Sequence, residues 1–322
     1  MRRSWRLTLL FLVLGLALLL GGAEFLVKGA AGLATRLGIS PFLIGLTLVG
    51  FGTSSPELVA SLEGAFRGYP GIAVGNVVGS NIANILLIIG VAGLVWPMTV
   101  ERGTLKRDGT MMLMAAAAMT AVCVYGFLSR GVGIVFLLLL AAYLVYTYRA
   151  DRKCQDGTAD LHAAEAAFLQ AGPRFGLLVE LVMALGGLVA LVVGASLLVD
   201  SAVTLADTFG ISDSVIGLTV VAVGTSLPEL ATSVLAAFRR KSEIAIGNVV
   251  GSNIFNVLGI AGTVAVVKPI TVPADIASFD IWVMGAATLV FLFFAFTGAR
   301  LGRIESLLLL IGYGAYVGFL LA

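Results

Sequence analysis

Residues 44–57 read IGLTLVGFGTSSPE, and residues 216–229 read IGLTVVAVGTSLPE. Ten of these fourteen positions match. A second pair, GNVVGSNIANILLIIG at 75–90 and GNVVGSNIFNVLGIAG at 247–262, matches at twelve of sixteen. Both pairs share one offset, 172 residues. It runs without a gap from Gly38/Gly210 and Ser40/Ser212 to Pro97/Pro269 and Thr99/Thr271. A common register over that length marks an internal duplication. The chain divides into a first repeat over 1–148, a polar linker over 149–175 and a second repeat over 176–322.

Composition identifies the solvent. Of 322 residues, 59% are hydrophobic and 12% charged, with a mean hydropathy of +1.07; a soluble domain carries about 25% charged residues. A soluble enzyme and a disordered chain are excluded. With 20 Lys+Arg against 18 Asp+Glu, no basic stripe for nucleic acid exists either. Two cysteines, Cys123 and Cys154, cannot build a disulfide framework. Each repeat holds five apolar segments, long enough at about 20 residues per crossing. They run at roughly 7–28, 41–66, 71–95, 108–128 and 131–148, then 176–199, 213–238, 243–267, 277–297 and 303–321. The first also resembles a signal peptide, with Arg2, Arg3 and Arg6 ahead of its apolar run. Its length, and the alignment of its end with the sixth segment, favour a membrane span. The expected fold is an all-α polytopic membrane protein with ten transmembrane helices.

The linker contains the sole histidine, His162, without metal-ligand spacing; it reads as a solvated connection with a short helix around Ala159–Gln170. Of the 20 Lys and Arg, 14 fall in the odd-numbered connections and 6 on the opposite side. The positive-inside rule therefore puts the linker in the cytoplasm of a cell (inner) membrane, with both termini outside. Five spans per repeat make the second repeat enter from the opposite face, so the repeats are inverted. Lys28 and Arg36 correspond to Asp200 and Thr208, a basic inner connection against an acidic outer one. Inverted repeats are a plan of secondary transporters, with the site at the midplane.

Glu57 and Glu229 lie at equivalent places deep inside apolar segments. A carboxylate in the bilayer costs a few kcal/mol or more and marks function by default. Neither motif contains a Lys or Arg, so a cation from solution is the economical partner. On a helix Thr53, Ser54 and Glu57 share a face, as do Thr225, Ser226 and Glu229. Pro56 and Pro228 inside these helices loosen the carbonyls of Gly52 and Gly224 and the neighbouring turn; a half-helix C-terminal end pointing at a cation would use them. The second motif adds Ser80 with Asn84 and Ser252 with Asn256, each pair one turn apart. Gly75, Gly79, Gly247 and Gly251 read as close-packing positions. Asn76, Asn81, Asn248 and Asn253 read as caps or bridges of broken helices. The donors are all oxygen, which suits Ca²⁺ and also Na⁺ and excludes thiol- or imidazole-bound metals. Two carboxylates balance one Ca²⁺, and two or more Na⁺ compete for the same oxygens, so only a loaded site crosses the apolar barrier cheaply. Glu24 and Glu63 read as interfacial or structural, and Glu180 as a solvated position.

The paired G-T-S-x-P-E and G-N-x-x-G-S-N motifs resemble the alpha repeats of the Ca²⁺/cation antiporter superfamily, most closely its prokaryotic Na⁺/Ca²⁺ exchanger branch. The resemblance covers both halves. It implies alternating access with a sliding bundle formed by the first and sixth spans. It implies ion ligands at Thr53, Ser54, Glu57, Ser80, Asn84, Thr225, Ser226, Glu229, Ser252 and Asn256, with backbone carbonyl ligands at Gly50 and Ala222. Asn256 stands where K⁺-dependent relatives carry Asp, which leans against K⁺ cotransport. Val-Val after Gly-Asn replaces the acidic-His motif of H⁺/Ca²⁺ relatives. The expectation is an electrogenic, K⁺-independent Na⁺/Ca²⁺ antiporter, with an H⁺/Ca²⁺ antiporter as the alternative. An intramembrane hydrolase lacks a base for its nucleophile, and a channel does not call for one occluded polar cluster between inverted halves. No cofactor, nucleic acid or obligate protein partner is implied; the partners are the two ions and the bilayer.

Overall fold

The computed structural model describes residues 5–37, 50–99, 103, 105–153, 176–298 and 300–322. His162, Cys154, the expected linker helix and the first part of the second span (41–49) lie outside them. The first repeat contains α1 (Trp5–Arg36), α2 (Gly50–Thr53), α3 (Ser55–Phe66), α4 (Pro70–Val95), α5 (Leu105–Tyr125) and α6 (Arg130–Lys153). The second contains α7 (Leu177–Phe209), α8 (Asp213–Thr225), α9 (Leu227–Phe238), α10 (Ser242–Val267), α11 (Ile276–Thr297) and α12 (Arg303–Leu320). The fold is all-α. Among the described residues eight helices are long and apolar enough to cross a membrane, and α8 with α9, bent by 48°, forms a ninth.

The helices α4 and α10 form the centre. Their apolar windows are 83% and 78% buried, against 17–44% for the other spans, whose outward faces are the apolar ones a bilayer would cover. The first and sixth helices, 32 and 33 residues long, outrun the expected 7–28 and 176–199. The apolar run stops near Lys28 and Asp200, but charge does not stop a helix. The second continues to Gly210, whose left-handed φ of +68° supplies a helix terminator.

These two helices pack antiparallel through glycine. A Cβ on Gly15 would lie 2.9 Å from the Gly194 carbonyl, and one on Gly22 2.9 Å from that of Gly187. Such small residues let backbones approach where no aqueous hydrophobic force drives helices together. Gly187 is the repeat partner of Gly15, and Gly194 that of Gly22, so the contact is reciprocal, as in a two-fold interface. Two short ribbons behave likewise. Met98–Thr99 (β1) pairs with Arg300–Leu301 (β4), and Phe127–Leu128 (β2) with Ile270–Thr271 (β3). Their registers are reciprocal once the offset grows from 172 to 173 beyond the fourth span. Tyr143 and Tyr316 obey the same shift: their hydroxyls donate to Asp108 at 3.0 Å and to Asp280 at 2.9 Å. The structure thus locates a one-residue insertion that the gap-free stretch up to Thr99/Thr271 does not reveal.

Glu180 departs from its expected solvated place. It is 5% exposed, wedged against Gly32, and accepts from Arg36 Nε at 2.5 Å. The close α1–α7 approach buries it, and a partner 144 residues away compensates its charge. Glu63 is structural as expected, accepting from Arg67.

Candidate cation site

The second span of each repeat is broken at a serine. Ser54 (φ −89°, ψ 9°) separates α2 from α3, and Ser226 (φ −83°, ψ 9°) separates α8 from α9. Pro56 and Pro228 sit in the first turn of the following helix. There a missing N–H costs nothing and the fixed φ is already helical. They therefore start a new helix rather than kink a continuous one, and Glu57 and Glu229 fall in its first turn, at the positive end of the helix dipole. Each break also brings in the C-terminal end of the preceding short helix. The Ala222 carbonyl there accepts the Ser226 N–H at 3.1 Å and the Thr225 hydroxyl at 3.3 Å.

The serines act across the repeats. Ser54 Oγ donates to Glu229 Oε1 at 3.0 Å, and Ser226 Oγ donates to Glu57 Oε1 at 3.0 Å. A shared helix face had placed each serine with its own glutamate; the break turns it toward the other one. Both carboxylates are 1% exposed. Each keeps one buried oxygen, Oε2, without a hydrogen-bond partner, and so do Ser80 Oγ, Asn84 Oδ1 and both amide atoms of Asn256. Buried polar atoms are nearly always paired, and an unpaired buried charge is among the costliest groups in a protein. These six atoms come from α3, α9 and the centres of α4 and α10; single hydroxyls of Thr8, Thr147, Ser201 and Tyr313 are unpaired elsewhere. Asn84 and Asn256 open π-helical turns, Asn84–Ile88 and Asn256–Ala261, a deviation often found at functional sites. Ser252 and Thr225 are buried in the same region.

Three of the four motif asparagines, Asn76, Asn248 and Asn253, bridge as expected, whereas Asn81 donates to the Val77 carbonyl of its own helix at 2.8 Å. Asn76 Nδ2 donates to the Glu57 carbonyl at 3.0 Å and to Ser61 Oγ at 2.9 Å, while its Oδ1 accepts from Thr225 at 3.1 Å. Asn248 Nδ2 reaches the Glu229 carbonyl at 3.3 Å and Ser233 Oγ at 3.0 Å. Asn84 Nδ2 donates to Asn253 Oδ1 at 3.1 Å, which leaves its own Oδ1 buried and unpartnered. Ser61 and Ser233 were missed by sequence reasoning. The available signal is that each lies one turn after its glutamate and recurs at the repeat offset.

The close-packing glycines split into two pairs. A Cβ on Gly75 or Gly79 would lie 3.0 Å from the Ser214 carbonyl or 2.5 Å from that of Leu218, so α8 is sealed onto α4. Among the described residues, which omit the 41–49 counterpart of the start of α8, nothing lies within 4 Å of a Cβ built on Gly247 or Gly251. Over the breaks lies α1: Val27 and Leu16 occupy the space a side chain at Gly52 or Gly224 would need.

A profile described as "Sodium/calcium exchanger protein" matches residues 7–149 and 179–322. The chain belongs to this family. Among its relatives, this exchanger-family chain is 37% identical to a "Putative antiporter CaxA" of Alkalimonas amylolytica, over 95% of this chain and 96% of that one. It is 36% identical to the "Sodium/calcium exchanger MaX1" of Methanosarcina acetivorans, over 96% and 97%. Among solved structures, the sodium-calcium exchanger NCX_Mj soaked with 10 mM Na⁺ and 10 mM Sr²⁺ superimposes with a TM-score of 0.65 at 31% identity, covering 98% of this chain and 99% of that one. The match spans both halves of this family member, including the stretches that carry Glu57 and Glu229.

Proposed function

We propose that the chain is a Na⁺/Ca²⁺ antiporter working by alternating access, electrogenic and independent of K⁺. One observation carries this reading: two buried carboxylates, cross-linked to the serines of the opposite repeat, each keep an unpartnered oxygen, and Ser80, Asn84 and Asn256 in the central helices keep unpartnered oxygens too. Such a set asks for a hard cation. Two negative charges match one Ca²⁺. Na⁺ ions filling the same oxygens exclude it, which is the elementary step of exchange. Family membership and the names of the relatives agree with this assignment. Thr53, Ser54, Ser80, Asn84 and their repeat partners are the proposed side-chain ligands, with the Gly50 and Ala222 carbonyls.

The reciprocal contacts of α1 with α7, of the two ribbons and of the two serines support two inverted repeats, 1–148 and 176–322. With the second span counted in both, the spans number ten. The Lys/Arg distribution supports a cytoplasmic linker and external termini in an inner membrane.

Proteoliposomes loaded with Na⁺ and diluted into Na⁺-free buffer containing ⁴⁵Ca²⁺ test the function. Uptake should follow the Na⁺ gradient, quicken when an imposed potential favours net charge return, and ignore K⁺ removal. Uptake that tracks a pH gradient and disregards Na⁺ would transfer the assignment to H⁺/Ca²⁺ exchange.

A further inference from the structure

The α1/α7 pair is tied to a site-bearing helix by an ion pair at one end of the molecule. Arg67 follows directly on α3, whose first turn carries Glu57. Its Nη1 bonds Asp200 on α7, its Nη2 donates to Ser196 Oγ one turn away at 2.6 Å, and its Nε donates to Glu63 Oε1 at 2.5 Å. A guanidinium fixes three acceptors in one plane, which a lysine could not do. Beside this fork α7 packs along α3, whereas the repeat-equivalent pairing, α1 with α9, is at most marginal. The bundle therefore leans on the first repeat. The same end is the one where α8 is sealed onto α4.

The repeat register shows what the opposite arrangement would offer. Arg67, Asp200, Ser196 and Glu63 correspond to Arg239, Lys28, Glu24 and Leu235. Exchanging the roles of the repeats withdraws α7 from α3 and brings α1 to α9. Arg67 then loses Asp200 and Ser196. Arg239 comes opposite one cation, Lys28, and one acid, Glu24, which Lys28 holds at 2.5 Å in the present arrangement. The two ends are thus unequally matched.

We propose that Arg67 is a positioning residue, a latch that holds the α1/α7 pair closed over the Arg67 end of the site and must release before that end opens. The inference rests on the alternating-access reading above. Disabling the latch moves population toward the state open at the Arg67 end. A ligand's apparent affinity scales with the population of its binding-competent state.

The experiment uses the full chain in proteoliposomes of defined orientation, with half-saturating Ca²⁺ measured separately at each face. For Arg67→Ala, and for the milder Asp200→Asn, it should fall about two- to fivefold at the face bearing Arg67, the range expected of a partly exposed ion pair. At the opposite face it should rise. Equal changes at both faces, or none, overturn the latch while Na⁺-driven exchange by the wild type stands. Absent exchange by the wild type overturns the functional reading, and the latch with it. As a second readout, a bifunctional thiol reagent joining Arg67→Cys and Asp200→Cys should arrest exchange until reduced. Continued exchange by the cross-linked protein overturns the proposal.

Discussion

The two repeats share a motif but not an environment. In the first, Asn76 is buried and spans from the Glu57 carbonyl to Thr225, and Asn84 is anchored on Asn253. Gly75 and Gly79 are pressed onto α8. In the second, Asn248 is half-buried, with a longer bond to the Glu229 carbonyl. Asn256 has no partner for either amide atom among the described residues. Among the described residues the same motif therefore makes different hydrogen bonds in the two repeats. A duplicated sequence makes two such arrangements chemically similar, and the mismatch at 28/200 and 63/235 keeps them from being identical. That combination suits a machine with two states of comparable but unequal free energy.

The largest expected effect tests what the repeats share. Glu57→Gln and Glu229→Gln should each abolish Ca²⁺ exchange. Both proteins should remain monodisperse and melt no lower than wild type without Ca²⁺, because a neutral amide needs no cation in a buried site. The rise in melting temperature on adding Ca²⁺ should vanish in both. If one variant keeps normal exchange, the carboxylates are not equivalent and the shared site is wrong.

Next come the asparagines that hold the ligand-bearing turns. Asn76→Ala and Asn248→Ala should each weaken Ca²⁺ affinity by roughly 10–100-fold, as is usual for groups that orient metal ligands. Isothermal titration in detergent gives the number. The Asn76 change should be the larger, since that side chain is fully buried and makes the shorter bond to its glutamate carbonyl. Equal losses would erase this part of the comparison.

The glycine pairs offer a sharper contrast. A Cβ at Gly79 meets Leu218 backbone at 2.5 and 2.7 Å, so Gly79→Ala should cost about 1–3 kcal/mol of stability through forced backbone shifts. Gly251→Ala should leave thermal stability unchanged but slow turnover, because the opposite state brings that face into the same close contact. Unaltered turnover in Gly251→Ala would mean that the two faces never exchange roles.

The smallest effect concerns one turn. Arg240 holds a left-handed φ of 60°, where its repeat partner is Gly68 at φ 80°. Its guanidinium lies 4.3 Å from the Trp96 ring centroid. Arg240→Gly removes a strain of about 1 kcal/mol or somewhat more and a cation–π contact of about 0.5–1 kcal/mol. The melting temperature should hardly move, and a clear drop would show that the Trp96 contact outweighs the strain.

Much of this was legible in the chain. The 172-residue offset, the apolar runs and the two intramembrane glutamates followed from residue order, because apolar length and buried charge are properties of local sequence in a lipid solvent. The bridging role of Asn76, Asn248 and Asn253 was legible too, as amides beside broken helices. Other features were out of reach. Ser54 and Ser226 serve the opposite repeat, since a chain break turns a side chain in ways that helical periodicity cannot express. Glu180 is buried, because α1 and α7 approach through glycines far apart in sequence. The full length of those helices was hidden by their charged ends, which hydropathy reads as connections although the backbone continues.

The sequence by itself determined an internal register of 172 residues in an apolar chain of membrane-spanning length, with two glutamates at equivalent places. Only the tertiary structure decided which long-range contacts each of the two nearly equivalent repeats makes. A repeat makes both arrangements compatible with the same local sequence. The choice between them rests on long-range contacts, Arg67 with Asp200 and Gly79 with Leu218, whose free energies appear only once the helices have met.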